Sequence, residues 1–104
     1  MDFDINTVLN NMKNAAIDAV QYDLQDIPVY LQQIFENEKE SLQALAEARI
    51  TGEISDSEFQ NELSREKKVL EAEALTISIM TKAIAQKAIN AAIDVLEEAI
   101  RLAI

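Results

Sequence analysis

A chain of 104 residues fits one domain, 1–104, and its 19 acids against 9 bases leave a net charge of -10, which excludes phosphate backbones as partners because nucleic-acid binders cluster Lys and Arg on one face. With no Cys and no His, disulfides, Ser-His-Asp and Cys-His nucleophiles, His-ligated zinc and Glu-x-x-His di-iron sites are excluded. A single Gly rules out the phosphate loop and the dinucleotide fingerprint, so no catalytic, metal or cofactor residue is expected and the chain reads as a non-enzyme.

One Gly and one Pro against 49% apolar residues point to an all-α fold of long helices. Helix 1 is expected over about residues 5–25, where Ile5, Val8, Leu9, Met12, Ala16, Ala19 and Val20 recur at three- and four-residue steps behind Asp4 as cap. Pro28 marks a break or kink and suits the first turn of helix 2, which runs over about 28–50 and presents Leu31, Ile34, Phe35, Leu42 and Leu45. Tyr22 and Tyr30 read as packing residues near that kink.

"EARITGEISDSEF" follows. It resembles the second half of an EF-hand loop at Gly52, Ile54 and Glu58, but the early ligand positions fall on Glu47, Arg49 and Thr51, and a guanidinium there repels a calcium ion. The competing reading is a turn. Gly52 takes the left-handed conformation that ends a helix, and Ser55 with Glu58 forms a capping box that opens the next. The pattern is also similar to the G-x-I-[ST]-x-x-E-F segment of short bacterial helical hairpins that promote oligomerisation, which implies a hairpin here.

Helix 3 is expected over about 56–103, because no Gly or Pro interrupts it; its weakest point is the β-branched cluster Thr76 to Thr81. Two arms of roughly 70 Å then form a long antiparallel hairpin kinked near Pro28. A three-helix bundle, with the third helix broken near residues 76–81, is the alternative. On the C-terminal part, Ile84, Val95 and Leu102 form one ridge and Ile89, Ile93, Leu96, Ile100 and Ile104 another, with Ser78, Ala85, Ala92 and Ala99 between them. The arc of about 200° exceeds what one neighbouring helix covers. The reading is therefore a homodimer, a four-helix bundle of two hairpins, with Ile84, Ala85, Ala88, Ile89, Ala92, Ile93, Val95, Leu96, Ala99 and Ile100 as the self-association surface. The alternative is that the arc belongs to a core helix covered by its own chain.

The acidity is uneven. Residues 36–73 carry eleven acids against five bases, whereas from Ala74 onward three acids, Asp94, Glu97 and Glu98, balance Lys82, Lys87 and Arg101, so the tail reads as a contact surface. Glu38, Glu66 and Glu73 stand on otherwise apolar faces. Converged, they could hold a cation or a proton; the favoured reading lays their stems along the seam with the carboxylates in water.

No signal peptide is legible at the start, and no charge-free stretch approaches the roughly 20 apolar residues of a membrane span, so a soluble, cytoplasmic protein with no transmembrane span is expected. Its function reads as a non-catalytic interaction or scaffold protein, adaptor or chaperone-like, that self-associates and binds an unidentified protein partner. The first alternative is a carrier of a lipid or other apolar ligand on the Ala/Ile-rich C-terminal helix. The second is a small secreted hairpin: size and shape are similar to the WXG-type helical hairpins, although their Trp is missing and the turn reads Thr51, Gly52, Glu53.

Overall fold

The computed structural model describes residues 3–20, 27–77 and 80–104, and the described residues form five α-helices with no strand: α1 (Ile5–Val20), α2 (Ile27–Asn37), α3 (Lys39–Ile50), α4 (Asp56–Ala74) and α5 (Lys82–Ala103). The fold is all-α. Asp4 caps α1, its carboxylate accepting from the Asn6 N–H at 3.1 Å and the Thr7 hydroxyl at 2.9 Å. The helix buries Ile5, Val8, Leu9, Met12, Ala16 and Val20, the stripe its spacing foretells, with Ala19 left at the edge. The expected continuation of helix 1 to residue 25, and Tyr22 with it, lie outside the described residues.

Pro28 occupies the first turn of α2, where its missing N–H leaves no intrahelical bond unmade. The expected helix 2 is nevertheless two helices. At Glu38 the backbone leaves helical geometry (φ -100°, ψ 7°), and the Glu38 N–H donates to the Phe35 carbonyl at 3.2 Å, one residue closer than an α-helix requires. Neither Gly nor Pro marks this bend.

The turn after α3 completes a Schellman motif: Gly52 has φ +80°, its N–H donates to the Arg49 carbonyl at 3.2 Å, and the Glu53 N–H reaches the Ala48 carbonyl at 2.9 Å. Ser55 then caps α4. Its hydroxyl accepts from the Glu58 N–H at 3.1 Å while the Glu58 carboxylate accepts from the Ser55 N–H at 3.2 Å. Ile54 and Phe59 stand before and after that box in the positions of a hydrophobic staple, and both join the core.

The expected single helix over 56–103 divides at the β-branched cluster, as the three-helix alternative had it. After Ala74 the backbone tightens, Thr76 N–H donating to the Glu73 carbonyl at 3.1 Å and Ile77 N–H to Ala74 at 3.1 Å, and the Thr76 hydroxyl takes the Glu73 carbonyl at 2.6 Å. On the far side the Thr81 hydroxyl accepts from the Ile84 N–H at 3.2 Å and so caps α5. Threonine hydroxyls and tightened backbone bonds do here what Gly and Pro do elsewhere.

With that break, two long arms give way to a folded-back bundle of 39 × 23 × 19 Å with a Cα radius of gyration of 13.3 Å, the size of an ordinary compact domain of this length. α5 lies along α1 over the most extensive helix pair and also touches α3 and α4; α2 packs on α1 and α4. The core is continuous through all five helices, and among the described residues none that is buried is polar or charged. No helix of the described residues is long and apolar enough to cross a membrane.

Candidate functional site

The ten residues expected to meet a second chain lie on α5, and the chain itself covers most of them. Ala85, Ala88, Ile89, Ala92, Ile93, Leu96 and Ile100 are buried within the monomer, and Ile84, Val95 and Ala99 are partly buried at the rim of the same core. The arc does have more than one neighbour, as its width requires: α1 along its length, with α4 and α3 beside it. All of them come from the same chain, because the break between α4 and α5 turns α5 back along α1. Ala16 of α1 is buried as completely as Ala85, Ala88 and Ala92 of α5, so small residues on both helices let the backbones approach. What remains open on α5 is the ridge Ile84, Val95 and Leu102, with Leu102 76% exposed.

The turn residues Gly52, Ser55 and Glu58 act as end and start of helices, and the EF-hand half-motif has no ligand set. α3 is still helical through Ile50, the Thr51 hydroxyl donates to the Glu47 carbonyl at 2.8 Å, and Arg49 faces Asp56 at 3.8 Å. Arg49 thus takes up one of the acids of the loop.

The three glutamates converge, which the favoured sequence reading undervalued. Glu38 sits at the α2–α3 bend, close enough to Glu66 and Glu73, two turns apart on α4, for its charge to act on both. One oxygen each of Glu66 and Glu73, Oε2, is enclosed with no hydrogen-bond partner. The favoured reading put the carboxylates in water, but those oxygens are withdrawn from it. Burial raises the Glu66 carboxyl above its ordinary range, helped by the charges of Glu38 and Glu62 and opposed by Arg65. Burial also raises Glu73, to about 7, together with a side-chain hydrogen bond to Glu38 and the negative charges of Glu38 and Glu66. Two ionised carboxylates have no hydrogen to share, so that bond exists only when one of the pair holds a proton. Among the described residues, no group of three or more carboxylates is placed to hold a metal ion.

Glu73 also lines an open cavity of about 320 Å³, with Tyr30, Gln33, Ile34, Asn37, Thr76 and Ile77. Tyr30 is not the packing residue expected: it is 43% exposed, and its neighbour Val29 is 64% exposed. α2 buries Ile27, Leu31, Ile34 and Phe35; Val29 falls on its other face, and Tyr30 stands at the edge of the buried stripe, beside the cavity. No family model matches the chain, and no curated protein and no solved structure matches it.

Proposed function

We propose that the chain is a non-catalytic helical interaction module, of adaptor or chaperone-like type, that self-associates and docks a protein partner through apolar surface its own core leaves open. The observation that carries this reading is the ridge on α5 outside the α1 seam, where Ile84 and Val95 are half covered and Leu102 is 76% exposed. At 1.5 Å per residue these three side chains follow a line of roughly 27 Å, and apolar surface in a row is stabilised by being covered. A second copy supplies a matching ridge about a two-fold axis. On α5 two copies of so acidic a chain repel less, because Lys82, Lys87 and Arg101 balance Asp94, Glu97 and Glu98 there. The homodimer therefore moves from the alanine stripe to its edge. A different protein partner has Val29 and Tyr30 to dock on, and the cytoplasmic setting expected from the sequence stays part of the proposal.

The ligand-carrier reading is weaker, since the Ala/Ile face of α5 is filled by α1 and an apolar ligand has to displace a helix to reach it. Sedimentation equilibrium is the test. The parent chain should sediment as a dimer, and Leu102→Lys as a folded monomer whose unfolding midpoint no longer depends on protein concentration, because Leu102 adds little to the monomer core. A monomeric parent overturns self-association, and a dimeric Leu102→Lys moves the interface off this ridge. Ala92→Glu does not discriminate, because Ala92 is fully buried within one chain. Docking of a different partner is checked with a photo-crosslinking residue at Val29 against one at Ser41, which is exposed on α3: a discrete adduct from Val29 alone is expected, and no adduct, or equal adducts from both, overturns that surface.

A further inference from the structure

We propose that Glu38, Glu66 and Glu73 form a proton-operated latch between the α2–α3 bend and α4, closed when the cluster holds a proton and loosened when it holds none. The geometry has three parts. The carboxylates come from two different elements across one seam, Glu38 from the bend and the other two from α4. The enclosed Oε2 atoms of Glu66 and Glu73 have no partner, and a buried acceptor left unpaired is costly unless a hydrogen is supplied. The backbone at Glu38 is already out of helical geometry, so the bend can change angle without breaking a regular helix on either side.

One proton changes this balance. Taken from water through the cavity beside Tyr30, it converts the Glu73 carboxylate into a carboxylic acid, whose O–H donates to Glu38; Glu66 then faces one negative charge fewer. When the proton returns to water the O–H···O bond is lost, and three like charges stand in a partly enclosed seam. The groups facing the cluster reinforce this. Among the described residues they are, from α2 and the bend, Glu38 and Tyr30, and from α4, Glu62, Arg65 and Glu66, Arg65 being the one cation of these; α3 also packs on α4, where its Arg49 pairs with Asp56 in the first turn of α4, more than two turns before Glu66. α5 meets α4 on the opposite flank, where Asp94 and Glu97 line a groove with Gln60, Ser64 and Lys67, and among the described residues α1 does not pack on α4.

The sign follows from the direction of the shift. Glu73 moves from an ordinary 4.5 to about 7 on folding, so the folded chain binds the proton more tightly than the unfolded one. The stability this contributes is complete below about 4.5, falls between there and about 7, and is absent above. The latch stands independently of any partner or dimer.

Thermal unfolding and amide hydrogen exchange between pH 5.5 and 8.5, on the parent, Glu73→Gln, Glu38→Gln and the exposed control Glu40→Gln, test it. In the parent the midpoint should fall as pH rises, and protection of the amides of residues 66–74, corrected for intrinsic exchange, should drop by roughly tenfold relative to α1. Glu73→Gln should flatten both dependences, since its amide donates to Glu38 at every pH, and Glu40→Gln should keep them. Glu38→Gln supplies the same test from the bend if Glu73→Gln folds poorly. A parent whose midpoint is flat or rises with pH overturns the latch, as does a full pH dependence in the cluster variants or a loss of protection spread evenly over all helices.

Discussion

At the scale of single residues, the turn at 51–55 shows how much one backbone angle decides. A Cβ built on Gly52 meets nothing within 4 Å, yet its φ is +80°, so the cost of Gly52→Ala is conformational and not steric. We expect a loss of about 1–2 kcal/mol in urea unfolding, with Gly52→Asn milder than Ala because its side chain tolerates the left-handed region. Ser55→Ala removes one half of the capping box and should cost about 1 kcal/mol. Both residues were legible in the sequence, because their chemistry is local: the glycine, the serine and the glutamate three positions on carry the whole signal. Glu66 and Glu73 were legible only as oddities, acids beside Leu63 and Leu70. What makes them matter is Glu38, brought across from another helix, and no spacing within α4 records that.

At the scale of elements, the apolar stripes of α1 and α5 foretold which faces are buried, and the β-branched cluster foretold where the last helix divides. They did not say which helix covers which. A wide apolar arc asks for two neighbours, and the sequence has no means of stating whether these belong to the same chain; the break between α4 and α5 settles that by sending α5 back along α1. The bend at Glu38 had no marker beyond an acid standing in the line of Leu31, Phe35 and Leu42. The α1–α5 seam makes its own prediction. Ala16, Ala85, Ala88 and Ala92 are completely buried, so Ala92→Leu overfills a close helix contact and should cost about 1–3 kcal/mol. Leu102→Ala, outside the seam, should leave the denaturation midpoint of the monomer nearly where it was.

At the scale of the whole molecule, the charge of -10 sets a tension that the core must overcome, because eleven of the nineteen acids crowd into residues 36–73. Screening relieves it, so raising NaCl from low concentration to about 0.5 M should raise the thermal midpoint at neutral pH; a midpoint that falls would show that attractive ion pairs outweigh the repulsion. Small-angle scattering of the monomer should give a longest dimension close to the 39 Å of the Cα envelope plus its side chains, not the roughly 70 Å of an extended hairpin. The seam between α1 and α5 has a consequence in time. About sixty residues separate Val20 from Lys82, and at roughly 5–20 residues per second a ribosome needs several seconds to add them. Through that interval α1 waits for α5, its apolar stripe without its principal cover, while the α3–α4 hairpin between them already has both of its arms. A nascent chain stalled before Lys82 is therefore an object for chaperones and proteases, and its core closes only once α5 has left the ribosome.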